Sequence, residues 1–126
     1  MAYVQIVLAL ALLQFIYFGL AVGRARGIYK CPAPATTGNE IFERYFRVQM
    51  NTLELIGPML VSLWLGAKYW SPTWAAVLGA VYLVGRVLYF TAYVRDPAKR
   101  GPGFGLTAIP NLVLVVGGLI GAMRDL

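Results

Sequence analysis

The chain has 126 residues, of which 60% are hydrophobic and 13% are charged, and its formal net charge is +6. This composition is too apolar for an ordinary soluble domain, and the clustered charges indicate a membrane protein with several spans. Histidine is absent and cysteine occurs once. His-ligated haem, Ser-His-Asp catalysis and intramolecular disulfides are therefore excluded, and a metal site is not expected.

Four apolar segments of membrane-spanning length are separated by loops that contain proline, glycine or charged residues. The first segment has no charged side chain before Arg24 and exceeds the apolar core of a signal peptide, so we predict a retained transmembrane helix. A basic loop rich in glycine and proline, residues 95–105, precedes the last segment. The pattern predicts one all-α domain over residues 1–126, a transmembrane four-helix bundle. The predicted helices cover about residues 2–23, 40–68, 73–94 and 106–123.

Positive charge is distributed unevenly over the predicted loops. Four crossings place the first and third loops on the same side of the membrane, and most of the Lys and Arg residues between helices lie in those two loops. We therefore expect loops one and three to face the cytoplasm, across a bacterial inner membrane or an endoplasmic-reticulum-type membrane. The opposite side carries the tryptophans typical of a membrane interface, namely Trp64, Trp70 and Trp74.

The second predicted helix begins with a polar stripe. At about 100° per residue, its charged residues and Asn51 fall within an arc of about 120°. Arg47, Asn51 and Glu54 lie closest together on this arc. Such a stripe is unfavourable in a bilayer unless it contacts a partner or a ligand, which predicts binding of a small, charged, water-soluble molecule. Spacings of four residues also predict two ion pairs, Glu40–Arg44 and Glu43–Arg47.

The third predicted helix carries a second polar stripe, which contains Tyr82, Arg86, Tyr89 and Tyr93. Arg86 and Glu54 lie about 13 and 10 Å below the same side, at 1.5 Å per residue. One interpretation is an ion pair between them that only locks two helices together. The other is a binding pocket, because the two stripes and the basic loop together offer guanidinium groups, a carboxylate, phenols and an amide. The pocket would be formed by Arg47, Asn51, Glu54, Tyr89, Tyr93 and Arg100.

The segments FERYFRVQMNTLELIGP and RVLYFTAYVRDPAKR resemble the MAPEG family, the membrane-associated proteins of eicosanoid and glutathione metabolism. The resemblance covers nearly the whole chain and implies a homotrimer of four-helix protomers, with glutathione as co-substrate between neighbouring subunits and no metal. It implies a transferase that conjugates glutathione to lipophilic electrophiles, or reduces lipid hydroperoxides. Carried over by position, the residues that contact glutathione are Arg47, Asn51, Glu54, Tyr89, Tyr93 and Arg100 of one subunit and Arg26 and Gln49 of its neighbour, with Arg86 at the base of the site.

The resemblance also assigns chemical roles. Glutathione has two carboxylates, an ammonium and a thiol, and the permanent charge of Arg100 would hold that thiol as the reactive thiolate, which makes Arg100 the expected catalytic residue. Leu55 and Gly27 replace a tyrosine and an arginine of the leukotriene-conjugating members, which favours a general transferase. The alternative within the same fold is a non-catalytic lipid- or partner-binding scaffold. A small multidrug transporter is disfavoured because the first predicted helix contains no acidic residue.

Overall fold

The computed structural model describes residues 1–126, and all of its regular structure is helical. The predicted all-α four-helix bundle is confirmed. A single 3₁₀ turn, Pro97–Lys99, lies between the last two long helices. The four helices are α1 (Ala2–Tyr29), α2 (Glu40–Tyr69), α3 (Pro72–Arg95) and α4 (Gly101–Arg124).

Three segments are long and apolar enough to cross a membrane: Ala2–Tyr29, Pro72–Arg95 and Pro97–Arg124. Only 22% of the most apolar stretch of the first segment is buried inside the protein, so most of its hydrophobic side chains face outward. Helices that are apolar on their outer surface are stable in lipid and not in water. The chain is therefore an integral membrane protein.

The first helix is longer than its apolar segment. It was predicted to end near residue 23, but it continues to Tyr29 and stops where Lys30 adopts a left-handed conformation with φ of 55°. The sequence marks the end of the apolar run, which is where the chain leaves the hydrocarbon, and a helix need not end there. Arg24 and Arg26 consequently lie on α1 and not in a loop.

The fourth helix begins earlier than predicted, at Gly101 instead of near residue 106. Pro102 falls in its first turn, where the missing N–H group has no helical partner to lose. The connection between α3 and α4 therefore shrinks to the few residues that surround the 3₁₀ turn. Asp96 caps this turn, because its carboxylate accepts a hydrogen bond from the Ala98 N–H at 3.1 Å. Arg100 is thereby placed directly at the start of α4.

α2 packs against all three other helices, as α3 also does. Its first turn is capped by Asn39, whose side-chain oxygen accepts from the N–H groups of Ile41 and Phe42 at 2.9 and 3.1 Å. Pro58 lies inside the helix, which nevertheless continues to Tyr69. The main hydrophobic core joins α1, α2, α3 and α4 at the level of Val4, Val7, Ala11, Met59, Leu63, Ala67, Ala75, Tyr82 and Leu114.

α3 and α4 approach each other so closely that two glycines are needed between them. A methyl group added to Gly103 would lie 2.6 Å from the Cα of Tyr89, and one added to Gly85 would lie 2.8 Å from the carbonyl carbon of Leu106. Both contacts are with backbone, which cannot move aside as a flexible side chain can. The start of α4 is thereby fixed against the part of α3 that carries Tyr89.

We expect Gly103→Ala to lower the free energy of unfolding by about 1–3 kcal/mol, because the added methyl group overlaps the backbone of α3. Gly105→Ala is the matched control, since a methyl group there meets no atom within 4 Å. That variant should be neutral or slightly more stable, by up to about 1 kcal/mol, through its better helix propensity. Thermal denaturation of both proteins in detergent measures the difference, and equal melting temperatures would contradict the proposed contact.

Candidate functional site

A cavity of about 340 Å³ opens between α2, α3 and the start of α4. Except for Phe104, every side chain that lines it belongs to the predicted site. Phe104 was missed because the sequence placed it in a loop, whereas it lies one helical turn after Arg100 in α4. The cavity is lined by Arg47, Asn51, Tyr89, Tyr93, Arg100 and Phe104.

Glu54 lies beside this cavity and does not line it. Its carboxylate forms an ion pair with the Arg47 guanidinium at 3.1 Å, and both side chains are about half exposed, at 56% and 49%. The predicted Glu43–Arg47 ion pair is wrong, because Arg47 turns toward Glu54, whereas the predicted Glu40–Arg44 pair is present at 2.8 Å. A pair this exposed stabilises the protein by only about 0–1 kcal/mol, so both of its charges remain available to a ligand.

Arg86 does not pair with Glu54, so the interpretation of these two residues as an interhelical ion pair is wrong. The Arg86 side chain is completely buried, with 0% of its surface exposed. Its Nη1 atom donates to the Asn51 side-chain oxygen at 2.8 Å and to the Thr52 hydroxyl at 3.1 Å. Its Nε atom donates to the Thr107 hydroxyl at 2.9 Å. A buried cation is thus held by neutral oxygens of α2 and α4.

The two threonines are oriented by their own helices. The Thr52 hydroxyl donates to the Val48 carbonyl at 2.8 Å, and the Thr107 hydroxyl donates to the Gly103 carbonyl at 2.9 Å. Each hydroxyl proton is therefore already used, and each oxygen is left free to accept from Arg86. The ring of Tyr89 also contacts the Arg86 guanidinium, 4.3 Å from ring centroid to the guanidinium carbon.

The two tyrosines of the cavity are held by packing. Their rings stack with centroids 5.4 Å apart, and Tyr89 is 3% exposed against Phe18 and Val48. The end of α3 is tied to α2 as well, because Arg44 donates to the Val94 and Arg95 carbonyls at 3.1 and 3.0 Å. α3 therefore presents both phenol rings to the cavity in a fixed orientation.

The structure does not bring Arg26 and Gln49 to the cavity of their own protomer. Arg26 donates to the Cys31 and Ala35 carbonyls at 3.1 and 2.7 Å, which holds the loop after α1. Gln49 contacts α1, since a methyl group added to Gly19 would lie 2.8 Å from its side-chain nitrogen. A contact of either residue with the ligand requires a neighbouring subunit and stays a prediction.

The cavity is rich in hydrogen-bond donors. Two guanidinium groups, an amide and two phenols line it, and no carboxylate does. Arg86 adds a further buried positive charge directly behind Asn51 and Tyr89. Such an arrangement favours a ligand with several anionic or carbonyl oxygens, because each of them finds a charged or polar donor. No cluster of His, Cys, Asp and Glu side chains that could hold a metal ion is present.

The chain is similar to known proteins over the whole of the site. The model of the MAPEG family matches residues 4–120, a range that includes all of the cavity residues. An uncharacterized protein of Synechocystis sp. is 47% identical over 121 residues, which cover 96% of this chain and 88% of that protein. Microsomal glutathione S-transferase 2 of Homo sapiens is 42% identical over 104 residues, 82% of this chain and 71% of that protein. Leukotriene C4 synthase of Cavia porcellus is 40% identical over 84 residues, 67% and 56% of the two chains.

We expect Thr107→Val to lower the free energy of unfolding by about 1–3 kcal/mol, because the Arg86 Nε–H group loses its acceptor in a buried environment. Thr91→Val is a matched control. The Thr91 hydroxyl also donates to carbonyls of its own helix, but it is exposed and accepts from no side chain. Thermal unfolding in detergent compares the two variants. If Thr107→Val is as stable as Thr91→Val, the contact does not contribute as the geometry indicates.

Proposed function

The chain belongs to the MAPEG family, and from this premise we propose that it is a glutathione-dependent membrane transferase that conjugates the glutathione thiol to lipophilic electrophiles. The observation that carries the proposal is the cavity itself. One cavity of about 340 Å³ is lined by five residues that the sequence predicted from two separate helices and a loop, namely Arg47, Asn51, Tyr89, Tyr93 and Arg100. Its similarity to a microsomal glutathione S-transferase and a leukotriene C4 synthase supports the same conclusion.

The chemistry of the cavity is complementary to glutathione. The tripeptide has two carboxylates and two peptide carbonyls, which match the guanidinium, amide and phenol donors of the cavity. It also has one ammonium group, and a carboxylate for it is available in Glu54, which is ion-paired at 3.1 Å with the cavity residue Arg47. When the tripeptide binds, Arg47 and Glu54 would exchange their mutual contact for the carboxylate and the ammonium of the ligand.

Arg100 would supply the catalytic effect. A free thiol has a pKa of about 8.5, so little of it is ionised at neutral pH, and the thiolate is the nucleophile. The permanently charged guanidinium would stabilise the thiolate after the thiol proton leaves to water. The sulfur would then form a bond to the electrophilic carbon while the leaving group departs or a ring opens. With a lipid hydroperoxide, the thiolate would instead take an oxygen, giving an alcohol and a sulfenic acid that a second glutathione converts to the disulfide.

The active form would be a homotrimer in which Arg26 and Gln49 of a neighbouring subunit complete the site. The polar face of α2 supports an assembly, because the charged side chains of Arg47 and Glu54 are about half exposed on a helix of a membrane bundle. Loops one and three would face the cytoplasm, as the distribution of basic residues predicts. Glutathione would then enter from water, and the electrophile or hydroperoxide would enter from the bilayer.

We expect Arg100→Ala to lower kcat for conjugation of an aryl halide about tenfold or more, because each unit by which the thiol pKa rises corresponds to about 1.4 kcal/mol of lost thiolate stabilisation. Lys99→Ala is the matched control, since Lys99 is an adjacent cation that does not line the cavity. The ultraviolet absorbance of the bound thiolate as a function of pH measures the pKa directly. An unchanged thiolate titration in Arg100→Ala would contradict the role of this residue.

The same preparation separates an enzyme from a scaffold. A transferase should bind glutathione and turn over an aryl halide or a lipid hydroperoxide only when glutathione is present. A non-catalytic scaffold should bind the tripeptide weakly or not at all. Absence of glutathione binding by the wild-type protein in detergent and in lipid nanodiscs would therefore overturn the proposed function.

A further inference from the structure

Arg86 lies directly behind the cavity without lining it. We propose that Arg86 is a positioning residue, which fixes the side-chain amide of Asn51 so that its NH₂ group faces the cavity. The part of the ligand beside Asn51 is then a carbonyl or carboxylate oxygen, and not an ammonium or an amide N–H. This inference deepens the proposed function and rests on it for the identity of the ligand, though not for the orientation of Asn51.

The orientation follows from the chemistry of the guanidinium group. Arginine carries only hydrogen-bond donors, so the Asn51 atom that contacts its Nη1 at 2.8 Å must be the oxygen. The opposite orientation would place two N–H donors against each other in a buried space, which is strongly unfavourable. The Asn51 nitrogen is therefore the atom left for the cavity.

Arg86 is itself held in one place. Thr52 follows Asn51 on α2 and accepts from the same Nη1 atom, while Thr107 on α4 accepts from Nε. The two threonine protons are used within their own helices, so neither oxygen can turn into a donor toward Arg86. The guanidinium is thus fixed by acceptors from two helices, and the amide that it orients is fixed with it.

Three polar side chains of the cavity can therefore be assigned as hydrogen-bond donors toward a ligand. Arg47 and Arg100 are donors by their chemistry, and Asn51 becomes one because of Arg86. Without Arg86 the Asn51 amide would be free to offer either its oxygen or its nitrogen. Arg86 therefore determines which ligand groups the centre of the cavity accepts, although it does not touch the ligand.

The first test is Asn51→Asp, which keeps the size of the side chain. One carboxylate oxygen should retain the contact with Arg86, and the other should present a negatively charged acceptor to the cavity where the NH₂ group was. We expect the Kd for glutathione, measured by calorimetry on the purified protein in detergent, to rise about tenfold or more. Unchanged affinity would overturn the inference about the ligand atom.

The second test needs no ligand and measures thermal stability. A carboxylate beside the buried guanidinium should leave the melting temperature of Asn51→Asp unchanged or raise it. In the Arg86→Gln background the same substitution should lower the melting temperature, because the carboxylate is then buried without its partner. Equal effects in both backgrounds would overturn the proposed contact. If Arg86→Gln does not fold, a clear drop in the melting temperature of Asn51→Asp alone would overturn it.

A third variant separates orientation from charge. Arg86→Lys keeps the positive charge but has one nitrogen instead of the planar group that reaches Asn51, Thr52 and Thr107 together. We expect its Km for glutathione to rise about tenfold with a smaller change in kcat, whereas the exposed control Arg95→Lys should be unaffected. Wild-type Km in Arg86→Lys would show that charge alone suffices and would overturn the positioning role.

These outcomes are distinguishable from failure of the proposed function. If the wild-type protein does not bind glutathione, the proposed function fails, and the stability measurements still decide whether Arg86 orients Asn51. If the wild type binds glutathione and Asn51→Asp binds it equally well, the function stands and the inference fails.

Discussion

The rest of the site depends on one buried cation. The Arg86 guanidinium crosses from α3 to reach Asn51 and Thr52 on α2 and Thr107 on α4, all within 3.1 Å. A charge in the interior of a membrane bundle is unfavourable unless hydrogen bonds replace its hydration. Here neutral oxygens do so for Nε and Nη1, whereas Nη2 is buried without a hydrogen-bond partner, and no acid cancels the charge. These contacts also fix three helices at the level of the cavity, and the uncancelled charge leaves the cavity electropositive.

The packing of α3 against α4 makes those contacts geometrically possible. Gly103 lets the first turn of α4 touch the backbone of Tyr89, and Thr107, one turn further along α4, lies within hydrogen-bond distance of Arg86. Gly103 also provides the carbonyl that orients the Thr107 hydroxyl. Gly103 thus contributes to the polar site indirectly, because it allows α3 and α4 to lie close together.

Much of this architecture was predictable from the sequence, because it depends on periodicity. Helical spacing alone grouped Arg47 with Asn51 and Tyr89 with Tyr93, and the cavity contains all four. Three features were not predictable in the same way. The partner of Arg86 was predicted wrongly, because Glu54 was expected at a similar depth in the membrane. The sequence contains several Ser and Thr residues, and nothing in it distinguishes Thr52 and Thr107 from the others. Phe104 was missed because a segment rich in glycine and proline is typical of a loop, and here it begins a helix. The length of α1 was underestimated because the end of an apolar run does not mark the end of a helix.

The short connection between α3 and α4 bears on how fast Arg100 would move during the proposed reaction. Arg100 follows a capped 3₁₀ turn and opens a helix whose first residues lie on its neighbour, so its backbone has little freedom. Its side chain, by contrast, is exposed and bonds only to the Pro97 carbonyl at 3.0 Å. In the proposed mechanism, delivery of its charge to a bound sulfur would therefore require only rotation about side-chain bonds, which takes picoseconds to nanoseconds, and not closure of a lid, which takes microseconds or longer.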